Sequence, residues 1–364
     1  MHMKKGILAA VAVIVVIAAS VGGYALLSGS NVGDDPSSQS KVYPSSVTIT
    51  QNDGEKITVA TPVEKVAVVN VNAAEFMQVL NVTDRVVGIS ESIAEDDDFG
   101  YIYEGVEVVG TYSEPSGEKI LELGANVVIG QCTSMSIKDT AALEDLGITV
   151  VLLDCYGLDQ ITSDLAQLAS LFGFEAQERA VQYAEMFNET VGMVTAANAS
   201  MGEDVTCYME LSNGKAYTSK AEMSSLIDLA GGYNIVKVLV ADPTSSTQLI
   251  SNEAIIAYDN GLGPDFILVR VGGINDNATA ELEYQSMVGR AGWSTLNATQ
   301  SDIIFIITQS GILSGPRVYI GIVYLTETFH PGVLSVSADE LLAEYNQAFG
   351  YDITPMMDYR HTAT

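Results

Sequence analysis

Two glutamates in matching settings are the residues of this chain best placed to do chemistry. Glu118 lies in Ser116-Gly117-Glu118-Lys119-Ile120, which leads into the apolar run Asn126-Val127-Val128-Ile129-Gly130. Glu253 lies in Ser251-Asn252-Glu253-Ala254-Ile255, which leads into Asp265-Phe266-Ile267-Leu268-Val269. Each stretch reads as a Ser helix cap, an acidic residue in the first turn where the dipole favours it, a short helix and a buried strand. Two copies of one αβ unit, over a hundred residues apart, predict two similar lobes. Each lobe then presents a carboxylate at the same point of its surface.

The elements needed to hold them can be followed along the chain. Ser46-Val47-Thr48-Ile49-Thr50 and Lys56-Ile57-Thr58-Val59 flank Asn52-Asp53-Gly54, a strong hairpin signal. Apolar strands at 65–69, 86–89, 108–110, 126–130 and 149–153 then alternate with short helices at 73–80 and 140–146, with an acidic loop at 91–98. That alternation predicts a parallel sheet covered on both faces. From 158 the rhythm changes to three- and four-residue spacing, giving a helical hairpin over 158–172 and 176–197. Its second arm is long enough to act as a rigid spine. After it the α/β pattern resumes, with strands at 205–211, 266–271 and 303–307 and helices at 224–230, 317–329 and 338–350.

Composition sets the address. Lys and Arg number 16 against 46 Asp and Glu, a formal net charge of −30, which excludes nucleic acid and anionic lipid as partners. Lys4 and Lys5 precede an uncharged apolar stretch at 6–27. This reads as a signal-peptide core or a membrane anchor, with the uncleaved anchor preferred. A Ser/Gly/Asp/Pro linker at 28–46 would then hold the body off the membrane. Sequons beginning at Asn81, Asn188, Asn198, Asn277 and Asn297 fit an extracytoplasmic, glycosylated protein. Cys132, Cys155 and Cys207 are too few for a disulfide framework, leaving buried thiols or a single Cys132–Cys155 bond. No G-x-S-x-G, GxGxxG, P-loop or HExxH motif is present, and an enzyme is not expected. His2, His330 and His361 form no metal-ligand cluster, so neither a metal site nor a cofactor is expected.

Several segments resemble one family. They are Pro62-Val63-Glu64-Lys65-Val66-Ala67-Val68, Val86-Val87-Gly88-Ile89, Gly110-Thr111-Tyr112-Ser113-Glu114-Pro115 and Leu226-Ile227-Asp228-Leu229-Ala230-Gly231-Gly232-Tyr233-Asn234. Gly315-Pro316-Arg317 opening a helix that ends at His330-Pro331 completes the set. In this order they resemble the helical-backbone solute-binding proteins of ABC importers, which deliver ferric siderophores, haem and cobalamin. The resemblance covers roughly 47–350. It implies two three-layer α/β lobes with mostly parallel sheets, joined by a long rigid helix, with a ligand cleft between them. The divisions expected are a signal peptide or anchor at 1–27, a linker at 28–46, a first lobe at 47–157, a helical hairpin at 158–200, a second lobe at 201–350 and a tail at 351–364.

The same resemblance gives Glu118 and Glu253 the task of docking on an ABC permease, which works with its ATPase. The body is expected to be monomeric and to sit outside the cytoplasm, anchored to the outer face of the membrane or secreted. Ligands of open α/β sheets bind beyond the carboxyl ends of the strands. In the first lobe those ends offer Asn72, Tyr112, Ser113, Thr133, Ser134 and Tyr156, and in the second Glu210, Tyr217, Trp293 and Arg317. The tyrosines and Trp293 would wall a macrocycle or chelate, and Arg317, or alternatively Arg270 or Arg290, would meet an anionic group. The expected cargo is an iron or cobalt complex. A molybdate- or tungstate-like oxyanion held by helix N-termini and hydroxyls is the alternative within the fold, and a cell-surface adhesion module the alternative outside it.

Overall fold

The computed structural model describes residues 42–133, 136–202, 205–271, 277–301, 303–308, 313–354 and 358–360. The apolar N-terminal stretch, most of the linker, and Ser134 lie outside the described residues. Among the described residues no helix is long and apolar enough to cross a membrane.

The chain divides into two compact units, one of residues up to 188 with 348–352, the other of 189–347 with 353–364. The first opens with a hairpin of β1 (Ser46–Thr50) and β2 (Lys56–Ala60), antiparallel with Val47 opposite Val59. Its turn is closed by Gln51 N–H donating to the Glu55 carbonyl at 2.8 Å, with Gly54 at φ 90. There follow β3 (Val66–Val68), α1 (Val71–Val79), β4 (Val86–Ser90), α2 (Glu91–Ala94), β5 (Glu107–Gly110), α3 (Gly117–Glu122), β6 (Val127–Gly130), α4 (Thr140–Asp145) and β7 (Thr149–Leu152). The five strands β3 to β7 are all parallel, in the order β5-β4-β3-β6-β7. Every residue of β3 and β6 is buried, as continuous apolar runs demand when helices cover both faces. The core on one side gathers Ala67, Val69, Val109, Ile120, Val128 and Val150.

The acidic segment 91–98 is not the open loop its charges predict. Glu91–Ala94 forms a helical turn, and Asp96 Oδ1 accepts from the N–H of Asp98 at 3.0 Å and of Phe99 at 3.1 Å. The carboxylate stops one turn and starts the next, which lets Phe99 bury.

After α5 (Ile161–Ala169) comes α6 (Phe174–Asn198), one unbroken helix of 25 residues whose early part belongs to the first unit and whose last turns belong to the second. At 1.5 Å per residue it is roughly 37 Å long. Ala176, Ala180, Tyr183, Ala184 and Phe187 form its buried stripe. Tyr183 meets Phe76 edge-on at 5.1 Å, and Arg179 donates to the Val79 carbonyl at 2.8 Å while lying over the Phe349 ring at 5.1 Å.

The second unit contains β8 (Val205–Leu211), β9 (Lys215–Tyr217), α7 (Glu222–Leu229), β10 (Gly232–Asn234), α8 (Val236–Leu239), β11 (Thr247–Leu249), α9 (Asn252–Ala257), β12 (Phe266–Val271), α10 (Asn277–Val288), α11 (Asn297–Gln300), β13 (Ile304–Thr308), α12 (Val318–Phe329), α13 (Ala338–Phe349, whose end returns to the first unit) and β14 (Asp358–Arg360). Its sheet runs β11-β9-β8-β12-β13-β14, with β10 also on β8. β10, β8, β12 and β13 are parallel, and the flanks β9, β11 and β14 are antiparallel. The residues after 350, expected to be a tail, therefore include an edge strand.

Candidate functional site

The sheet of the first unit reverses its strand order between β3 and β6, so the segments leaving those two strands flank a crevice at their carboxyl ends. Asn70 leaves β3 and caps α1, its Oδ1 accepting from Asn72 N–H at 2.9 Å and Ala73 N–H at 3.3 Å. Its amide donates to the Leu153 and Asp154 carbonyls just past β7, at 2.7 and 3.2 Å. Asn72 reaches the same Asp154 carbonyl at 3.4 Å. The Asp154 carboxylate in turn accepts from the N–H of Cys132, at 2.8 Å, and of Thr133, which leave β6. Burial holds the Asp154 carboxyl above its usual range, and those two N–H donors offset part of that rise.

The turn of the β1–β2 hairpin closes over the same edge. Asn52 Oδ1 accepts from Asp154 N–H at 2.6 Å, and the Asn52 amide donates to both Asp164 oxygens at 3.0 and 3.2 Å. Asp164 Oδ2 also accepts from Cys155 N–H at 3.0 Å. Of the residues expected to hold a ligand, Asn72, Thr133 and Tyr156 are therefore gathered on one strand-end surface. Tyr112 and Ser113 stand beyond β5, the neighbouring Ser113 carbonyl accepting from Lys138 N–H at 3.0 Å. Tyr112 is exposed. Asn70, Asp154 and Asn52, which organise this surface, carry only the signal of an Asn or Asp at a strand end or turn.

The second unit differs from expectation at two positions. Glu210 is wholly buried, its carboxylate bonded to Arg290 Nη2 at 2.6 Å and accepting from the Tyr208 hydroxyl at 2.8 Å. Burial, with the adjacent Glu210 charge, pushes the Tyr208 hydroxyl up, so it stays protonated as the donor. Trp293 is wholly buried as well, its Nε1 donating to Asn252 Oδ1 at 3.1 Å and its ring covered by the Arg290 guanidinium at 4.6 Å. Neither side chain offers an open wall to a ligand. Alternation along β8 sends Tyr208 and Glu210 to the core face, where a buried carboxylate needs its cation and donor inside the protein.

Arg290 is thus spent internally. Arg317 is buried in the short turn Gly315–Arg317 ahead of α12. Arg270, at the carboxyl end of β12, is also buried and donates from Nη1 to the Tyr217 hydroxyl at 3.0 Å. Its Nε has no hydrogen-bond partner, and among the described residues no carboxylate pairs with it.

The capped segments that carry Glu118 and Glu253 fold alike. Ser116 Oγ accepts from Lys119 N–H at 3.3 Å at the start of α3, and Ser251 Oγ from Ala254 N–H at 3.2 Å at the start of α9. Ile120 and Ile255 are buried at the same step, while Glu118 and Glu253 are exposed. Among the described residues neither glutamate makes a hydrogen bond or an ion pair. Cys132, Cys155 and Cys207 are separate thiols.

Two α/β units built largely on parallel strands thus carry matching capped helices. Residues 66–310 match the periplasmic binding protein family, and the chain belongs to it. The "Cobalamin-binding protein" of Halobacterium salinarum is 25% identical over 281 residues, which is 75% of this chain and 71% of that protein. Among solved structures, the TroA-like periplasmic binding protein FepB of Veillonella parvula superposes with a TM-score of 0.70 at 18% identity, covering 87% of this chain and 100% of that one. MolA of Haemophilus influenzae, a molybdate periplasmic binding protein bound to molybdate, does so with a TM-score of 0.68 at 16% identity, covering 85% and 100%. The chain is a solute-binding protein of ABC-transporter type, it acts outside the cytoplasm, and its family is one of binding proteins.

Proposed function

We propose that this protein captures a metal–organic complex, with a corrinoid the first candidate, and hands it to an ABC permease through Glu118 and Glu253. The observation that carries the hand-over is the repeated capped unit. Two carboxylates stand exposed at the same helical step of both units without a partner of their own, in a chain whose other charges give them no cation. The ligand reading rests on the corrinoid relative and on Asn72, Tyr112, Ser113, Thr133 and Tyr156 at the strand ends of the first unit. Tyr217 and Arg317 serve in the second. Residues 1–27 would tether the body to the membrane.

A second reading, an oxyanion such as molybdate, is favoured by Arg270. A buried guanidinium whose Nε is unsatisfied costs stability unless an anion meets it. A thermal-shift panel of cobalamin, haem, ferric chelates and molybdate separates the two. A true ligand at a hundred times its Kd adds about 2.7 kcal/mol of stability. Stabilisation by molybdate alone would replace the corrinoid reading, and no response to any of the panel would sink both. For the hand-over, Glu118→Ala with Glu253→Ala should abolish uptake in cells and leave ligand affinity unchanged. A loss of affinity instead would show that the pair belongs to the binding site.

A further inference from the structure

We propose that Asn81 carries an N-linked glycan and that the other four sequons of the chain stay bare. Attachment leaves the asparagine amide with one N–H and a bulky substituent, so the folded protein must give that nitrogen open space. The acceptor motif also needs its Thr or Ser hydroxyl free to engage the transferase. The structure separates the five positions on both counts. Asn198 spends its amide on two backbone carbonyls, those of Asp228 at 2.9 Å and Leu229 at 2.7 Å, and Ser200 Oγ is turned back onto the Ala197 carbonyl at 2.7 Å. Asn188 sits half-buried inside the long helix α6, and Thr190, its motif hydroxyl, is buried. Asn297 is exposed, but Thr299 Oγ1 is buried without a partner and out of reach. Asn277 is exposed at the start of α10, and its motif residue Thr279 is not without a partner.

Asn81-Val82-Thr83 is different. Asn81 follows the end of α1 in the left-handed region, at φ 57, a conformation that asparagine tolerates better than most residues. Its N–H and that of Val82 close the helix onto the Gln78 and Met77 carbonyls at 3.0 and 2.9 Å, and Val82 is buried, so the backbone is held firmly. The Asn81 side chain is exposed. Among the described residues neither its amide nor the Thr83 hydroxyl has a hydrogen-bond partner. The position also borders a cavity of about 640 Å³ within the first unit, lined by Arg85, Glu175, Glu178, Arg179 and Gln182. That mixture of charged and amide groups is suited to the hydroxyls of a first sugar.

The donor is a lipid-linked oligosaccharide phosphate. The Asn81 amide nitrogen attacks the anomeric carbon of the first sugar, forming the N-glycosidic bond. The C–O bond to the lipid phosphate breaks, the phosphate leaves with the electron pair, and the amide proton goes to a base of the transferase. Nothing here depends on which solute is carried, only on the extracytoplasmic location.

Glycopeptide and intact-mass spectrometry of the full chain, isolated from the cells that make it naturally, tests this. The peptide holding Asn81 should be heavier by whole sugar residues, and those holding Asn188, Asn198, Asn277 and Asn297 should have their sequence masses. Thr83→Ala, which keeps Asn81 and its backbone in place, should abolish the added mass while circular dichroism and cooperative thermal unfolding persist. Asn81→Asp, close in shape but without the nucleophile, should do the same. A bare Asn81 peptide in the native protein, or sugar carried at Asn188, Asn198, Asn277 or Asn297, would overturn the assignment.

Discussion

Asp164 shows how a single buried carboxylate can bias the whole first unit. It accepts from the Asn52 amide and from Cys155 N–H, yet burial outweighs these donors and pushes its carboxyl up to about 6. Because the folded pKa is raised, the stability it contributes is fully present at acidic pH. It is lost as pH rises from the ordinary 3.8 of aspartate through about 6. The shift corresponds to about 3 kcal/mol. Urea midpoints of the wild type and Asp164→Asn, compared between pH 4 and pH 7, should therefore diverge, with the wild type losing more than the variant on the way up. Parallel profiles would mean that Asp164 ionises without cost. At this scale the sequence was legible in residue type but not in orientation. Ser116 and Ser251 announced their caps because a cap is a local event. Glu210 and Trp293 looked like site residues because both lie near strand or helix ends. Which face of β8 Glu210 occupies, and that Arg290 waits there, depends on contacts 80 positions apart in the chain.

Elements were legible where their signal was local and strong. The hairpin, the five apolar strands of the first unit and the long helix α6 all follow from alternation, continuous apolar runs or three-and-four spacing. Those that escaped lack such a signal. Helix α10 buries Ala280, Tyr284 and Met287, which is helical spacing, but Ala and Tyr are weakly apolar and a polar stretch precedes them. β11 and β14 are three-residue edges whose only reason to be strands is the partner they meet, β9 and β13. The loop between β5 and α3, which presents Tyr112 and Ser113, is fixed by Gly110. Its φ is 134, and a Cβ there would lie 2.6 Å from the Glu114 carbonyl oxygen and 3.3 Å from Pro115 Cα. Backbone cannot give way as a side-chain tip can, so Gly110→Ala should cost about 2 kcal/mol or more. It should also weaken binding of whichever ligand the panel identifies, if Tyr112 and Ser113 belong to the site. Calorimetric unfolding and a titration of that ligand read the two effects separately. An unchanged melting temperature would show that the loop is free to reshape.

Over the whole molecule the charge imbalance sets a different term. The 46 acidic side chains face 16 basic ones. Among the described residues six ion pairs form, and five of them hold exposed carboxylates, worth about 0–1 kcal/mol each. Most carboxylates therefore repel one another across the surface, which opposes compaction. Sodium chloride shortens the reach of that repulsion from about 10 Å at 0.1 M to about 3 Å at 1 M. The melting temperature should accordingly rise by roughly 1–3 °C over this range, about 1–2 kcal/mol for a protein of this size. Association with a basic permease surface through Glu118 and Glu253 is an attraction between opposite charges, so the same salt should weaken it. Stability and docking rate are expected to move in opposite directions along one salt series, measured by calorimetry and by binding to permease in lipid discs. A melting temperature that falls with salt would mean that attraction, not repulsion, dominates the surface. A docking rate indifferent to salt would leave the twin glutamates without an electrostatic role.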